Sequence, residues 1–161
     1  LDIIDHPYLE FAFGVLGLIF VIFIHGVGVR RIARWFSARW ARIGPGAGQW
    51  SVNLLFASVI AALVLLHLVE TLAVALVLTA ARIIPVFRDA YYYALESYTT
   101  LGSTLVAAPE GWRLTGPLIA MAGLFTFGWT ASVLVSVMTD ISRLDRAEAV
   151  RKVRDHAAGE D

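Results

Sequence analysis

The sequence predicts an all-α membrane protein: three transmembrane helices, with a short re-entrant segment between the second and third. Three observations carry that prediction. Of 161 residues, 58% are hydrophobic and only 16% charged, whereas soluble domains sit near ~45–50% apolar and ~25% charged. Three apolar runs, residues 8–29, 52–81 and 114–138, are each long enough to cross a hydrocarbon core of about 30 Å, which needs about 20 helical residues. Between the last two runs, residues 91–103 are too few and too polar to form a further crossing.

Taken in order, the first run is interrupted only by Glu10 and His25. His25, near its end, is expected to reach the interface. A basic stretch follows over residues 30–42, with five arginines and with Trp35, Phe36 and Trp40 among them. That mixture suits a helix lying at the headgroup boundary. Gly44-Pro45-Gly46-Ala47-Gly48 then breaks any helix. The second run exceeds what a crossing requires, so it tilts or projects by a turn or two, and Pro85 punctuates its end. Residues 89–98 read as a short helix and residues 99–109 as non-helical.

The third run opens at Gly116-Pro117. Its small residues, Ala120, Gly123, Gly128, Ala131 and Ser132, allow close helix packing in lipid. Gly123 is also a candidate hinge, with plain packing as the alternative. Thr126, Thr130 and Ser136 either face water or bond to the backbone. Residues 140–161 form a charged tail, helical and partly disordered. Asp145, Glu148, Arg151 and Lys152 alternate there at helical intervals, the pattern of a solvated or helix-pairing face. The domain reading is therefore residues 1–50 as first crossing plus basic segment, 51–139 as a central membrane domain, and 140–161 as the tail.

Charge placement sets the orientation. The formal net charge is zero, yet ten of the thirteen basic residues lie in residues 30–42 and in the tail. The positive-inside rule puts both in the cytoplasm, the N-terminus outside, and residues 89–109 on the outer face of the cell membrane. No nucleic-acid partner is expected, because no basic stripe with interleaved aromatics lies on a soluble fold; the arginines and aromatics of residues 30–42 adjoin a membrane crossing. Cysteine is absent, which excludes disulfides and thiolate metal sites. The acidic start, Asp2 and Asp5, is the reverse of a cleavable signal's basic region, and opening on Leu1 is expected of a trimmed chain.

Chemistry concentrates in Tyr91-Tyr92-Tyr93-Ala94-Leu95-Glu96-Ser97-Tyr98-Thr99-Thr100-Leu101-Gly102-Ser103. Non-helical backbone at membrane depth survives only when buried in protein or facing water. A short helix followed by a Thr- and Gly-rich turn, set between two crossings, has the layout of a re-entrant pore loop. Its carbonyl oxygens can replace an ion's hydration shell. One chain supplies too few carbonyls to surround an ion, so this geometry calls for several copies about an axis. An ordinary extracellular turn is the alternative, and it leaves the tyrosine-rich helix oddly apolar for a surface.

This stretch resembles the pore region of the two-transmembrane potassium channels and their prokaryotic relatives. Their aromatic-rich pore helix runs into Thr-Thr-Leu-Gly-Tyr-Gly-Asp, and here Tyr98-Thr99-Thr100-Leu101-Gly102 is kept. Gly111-Trp112-Arg113-Leu114-Thr115-Gly116-Pro117 and Phe127-Gly128-Trp129 resemble the start of the family's inner helix, so the likeness covers residues 52–138. It implies a homotetramer with Thr99, Thr100, Leu101, Gly102 and Ser103 as selectivity filter, Glu96 as pore-helix support, and the third crossing lining the inner cavity. Where the family shows Tyr-Gly-Asp, this chain has Ser103-Thr104-Leu105. Filter carbonyls that all point inward need backbone conformations that glycine adopts freely and threonine does not. Potassium selectivity therefore does not carry over. In some members the pore-helix glutamate meets that lost aspartate behind the filter; here Glu96 must pair elsewhere or lie desolvated.

His67 and Glu70 sit near the middle of the second run, three residues apart and on one helical face. Intramembrane ionisable groups are functional hypotheses by default. A structural hydrogen bond, proton sensing or conduction, and metal binding all remain open, although two ligands alone make no metal site. The function expected is passive conduction of monovalent cations, with lipid and other copies of the chain as partners and no cofactor. A non-conducting or proton-responsive protein on the same scaffold is the alternative. A membrane enzyme is disfavoured, because no nucleophile motif, cofactor loop or metal cluster accompanies the His67/Glu70 pair.

Overall fold

The computed structural model describes residues 7–43, 48–102 and 106–158. Those residues form four helices: α1 (Pro7–Ile43), α2 (Gln49–Ala80), α3 (Phe87–Tyr98) and α4 (Thr115–Ala158). No strand occurs among the described residues. The segments Tyr8–Arg42, Gln49–Ala80 and Thr115–Arg143 are each long and apolar enough to cross a membrane. The all-helical class and the three candidate crossings thus agree with the sequence.

One boundary differs from expectation. The basic stretch 30–42 is not a separate interfacial helix; α1 continues through it for 37 residues, about 55 Å at 1.5 Å per residue. The cause is an apolar stripe that persists beneath the arginines. Val29 and Phe36 are buried against Val52, Leu55, Val137 and Ile141, with Ile32 and Trp40 packed beside them. The arginines extend from the opposite faces, where Arg30 Nε and Arg34 Nε donate to the carbonyls one turn back. The tail is helical as expected, and α4 runs unbroken into it for 44 residues in all.

α1 packs on α4 and α2, while α3 wedges between α2 and α4. The core falls into two apolar clusters. One, around α3, joins Val21, Val74, Leu78, Ile84, Tyr93 and Ala122. The other, toward the basic end of α1, joins Val29, Phe36, Leu63 and Val137. Buried Glu10 accepts a hydrogen bond from the Leu114 backbone N–H just ahead of α4. A carboxylate placed there also faces the positive end of the helix dipole. That bond pins the start of α1 to the start of α4.

At Gly123 the close packing allowed by a small residue is seen directly. A Cβ built on Gly123 would lie 2.0 Å from the Tyr98 carbonyl oxygen. Only a missing side chain lets the end of α3 press so closely on α4. Gly123→Ala should therefore cost about 1–3 kcal/mol through overpacking. Gly128→Ala, where a Cβ meets nothing within 4 Å, should leave stability unchanged. Thermal unfolding of the two variants in detergent checks the contrast.

Candidate functional site: a buried hydrogen-bonded ring and the loop beside it

Between the two apolar clusters lies a layer of polar side chains, near the middle of all three candidate crossings. α1 supplies His25, α2 supplies His67 and Glu70, α3 supplies Tyr98, and α4 supplies Thr126 and Thr130. His25, Glu70 and Thr126 are fully buried and Tyr98 nearly so. Helical spacing explains the convergence: His67, Glu70 and Thr71 share one face of α2, and Thr126 and Thr130 are one turn apart on α4.

The contacts close on themselves. His25 Nδ1 lies 2.9 Å from Glu70 Oε1. The Tyr98 hydroxyl donates to Glu70 Oε2 at 2.5 Å and lies 2.8 Å from His67 Nδ1. His67 Nε2 is 3.0 Å from Thr130 Oγ1, which is 3.4 Å from His25 Nε2. Thr126 braces the ring from outside, its Oγ1 2.5 Å from the Tyr98 oxygen and 3.0 Å from the carbonyls of Ala122 and Gly123. Aromatic rings cover both imidazoles: Trp129 sits 5.6 Å from His25 and Phe127 4.6 Å from His67, centroid to centroid.

His67 and Glu70 do come together, but not as a direct pair. His67 Nδ1 and Glu70 Oε2 are 3.5 Å apart and are bridged by the Tyr98 hydroxyl. The direct imidazole partner of Glu70 is His25, which does not reach the interface and is wholly buried. His25, Tyr98 and Thr130 were not expected in this role. The available signal was His25 itself, an ionisable residue amid an apolar run, which demands a partner at its own depth. His25, His67 and Glu70 form a potential ligand set. In this structure those groups are joined by hydrogen bonds, His25 to Glu70 directly and His67 to Glu70 through Tyr98.

The loop residues leave α3 directly from this ring. Thr99 Oγ1 donates to the Leu95 carbonyl at 2.8 Å. Thr100 has φ 60° and Gly102 φ 81°, and both Leu101 N–H and Gly102 N–H turn back to the Glu96 carbonyl, at 2.9 and 3.3 Å. Glu96 thus supports the turn through its main chain. Its side-chain Oε2 is buried without a partner among the described residues. Thr99, Thr100, Leu101 and Gly102 are all exposed, Leu101 at 77%. Ser103 lies outside the described residues. A β-branched residue in the left-handed region is a genuine outlier, and strain of this kind clusters where function needs it.

Of the tyrosine run 91–93, only Tyr93 is buried; its hydroxyl lies 3.1 Å from Thr115 Oγ1. No family model, curated protein or solved structure matches this chain.

Tyr98→Phe removes a hydroxyl that serves three partners at once. It should cost about 1–3 kcal/mol, because Glu70 and His67 each lose a buried bond. Tyr93→Phe removes one contact and should cost about 1 kcal/mol or less. Chemical unfolding of both proteins in the same detergent provides the comparison.

Proposed function

We propose that this chain is one subunit of a homotetrameric pore-loop channel that passes monovalent cations down their gradient. The constriction is formed by the loop from Thr99 to Ser103. The single observation that carries this reading is the loop itself. A 12-residue helix too short to cross is held between two crossing-length helices, and it ends in a turn whose Thr99, Thr100, Leu101 and Gly102 all remain uncovered by their own chain. The backbone there is held in left-handed conformations at Thr100 and Gly102, which turns successive carbonyls in directions a helix or strand does not allow. Exposed Leu124 and Phe125 on α4, each 62% accessible, fit a helix that meets lipid or neighbouring copies rather than water.

In this reading α2 is the outer helix, α3 the pore helix and α4 the inner helix. The protein resides in the cell membrane with its N-terminus outside and the basic end of α1 and the tail of α4 in the cytoplasm, as the arginine bias dictates. It performs no covalent chemistry and takes no cofactor; its partners are lipid and three further copies of itself. The altered filter, ending in Ser103-Thr104-Leu105, supports a cation pore without potassium selectivity.

The test is ion flux into liposomes containing the purified protein, comparing potassium, sodium and proton gradients. Wild-type protein should pass at least one of these ions, and Gly102→Asp should abolish the flux because the φ of 81° strains any side chain and a carboxylate would crowd the axis. Cross-linking should stop at four subunits. A verified tetramer that passes none of the three ions at several pH values would instead assign the scaffold a non-conducting role.

A further inference from the structure

We infer that the ring of His25, Glu70, Tyr98, His67 and Thr130 is a binding site for one exchangeable proton, and that its occupancy is felt by the loop from Thr99 to Gly102. The ring has five contacts: His25 to Glu70, Glu70 to Tyr98, Tyr98 to His67, His67 to Thr130 and Thr130 to His25. Each hydrogen bond requires one proton between its two heavy atoms. With Glu70 as carboxylate and both imidazoles neutral, the members bring four, one each from Tyr98, Thr130, His25 and His67. Thr126 adds none to the ring, because its hydroxyl proton goes to the Tyr98 oxygen or to a helix carbonyl. One contact of the five is left without a proton.

A fifth proton, taken from water, completes the ring, with His25 donating from both nitrogens and Glu70 accepting on both oxygens. His25 donates from Nδ1 to Glu70 and from Nε2 to Thr130; Thr130 donates to His67 Nε2; His67 Nδ1 donates to Tyr98; Tyr98 donates to Glu70. In that state one positive and one negative group cancel, which is what a site at mid-membrane requires. A sixth proton would place two hydrogens in one contact and leave a net charge, so the capacity is one. The contact that empties when the fifth proton leaves is His25 to Thr130, at 3.4 Å the longest of the ring. Losing it loosens α1 from α4 while the bond between His25 and Glu70 remains.

The groups facing His25 are Glu70 and His67 from α2, Thr130 and Trp129 from α4, and Tyr98 of α3 one bond further round the ring. The next basic residue on α1, Arg30, has its Nε on the Gly26 carbonyl at 3.0 Å. Transmission to the loop is short. Tyr98 is the last residue of α3, its carbonyl is pressed against Gly123, and Glu96, two residues before it, holds the Leu101 and Gly102 amides. The proton site stands whether or not the loop conducts ions.

The test uses the full chain in detergent micelles, labelled with ¹⁵N at histidine and glycine, followed by NMR through a pH titration; single substitutions of His6, His25, His67 and His156 assign the imidazole signals. The expected spectrum shows His25 protonated on both nitrogens and His67 on one. Raising the pH should remove one proton in one step, and the Gly102 amide signal should move with the same midpoint. Thr130→Val takes away the acceptor for His25 Nε2 and should weaken proton binding about tenfold, moving the midpoint down by about one pH unit; Thr130→Ser should restore it. Two neutral imidazoles throughout, two separate steps, or an unmoved midpoint in Thr130→Val would overturn the site. A Gly102 signal indifferent to the step would overturn the coupling. If Thr130→Val does not fold, the wild-type proton count and Thr130→Ser decide the matter.

Discussion

The structure is organised around a carboxylate that has nowhere to hydrate. Glu70 is fully buried at mid-bundle, where an unpaired charge costs several kcal/mol. Satisfying its two oxygens draws in His25 from one helix and Tyr98 from another, and the remaining valences of those groups draw in His67 and Thr130. Each of the four helices contributes to one small set of bonds. Apolar contacts alone discriminate poorly in lipid, because an acyl chain is as good a neighbour as a leucine. Sliding any one of these helices by a turn, about 5.4 Å, would separate its polar member from the rest. The ring therefore fixes the helices' register along their axes, and the apolar clusters on either side fill the space that this register defines.

Hydropathy made the three crossings legible, and the Thr- and Gly-rich turn marked where α3 ends. The join between α1 and the basic stretch was not legible. The arginines read as an ending, while the burial that continues the helix depends on Val52, Leu55, Val137 and Ile141, contributed by α2 and α4. The ring was half legible. His67 and Glu70 stood out through spacing on one helix, but His25 lies 45 residues from Glu70, and sequence gives no measure of which face of α1 meets α2. Thr130 is a hydroxyl among many in a membrane helix, where bonding to its own backbone is the commoner fate.

The same residues carry both halves of the chemistry. Phe127-Gly128-Trp129, first notable as a likeness to inner helices, places an aromatic ring over each imidazole, and Thr130 immediately follows. Tyr98 is at once a member of the ring, a filler of the apolar cluster around α3 and the residue preceding the loop. Its neighbour across the contact, Gly123, lets the two backbones come close. Helix packing and polar chemistry are thus not separate layers here, and α3 cannot shift without disturbing both.

The unbroken course of α1 has a mechanical consequence. From His25 to the helix end at Ile43 are 18 residues, about 27 Å of rigid rod. With His25 as fulcrum, a tilt of only about 10° would carry the arginine-bearing end sideways by about 4–5 Å. The basic end of α1 is in this sense the long arm of a lever whose pivot is a few hydrogen bonds, so events too small to see at the ring arrive magnified where the chain carries its charge.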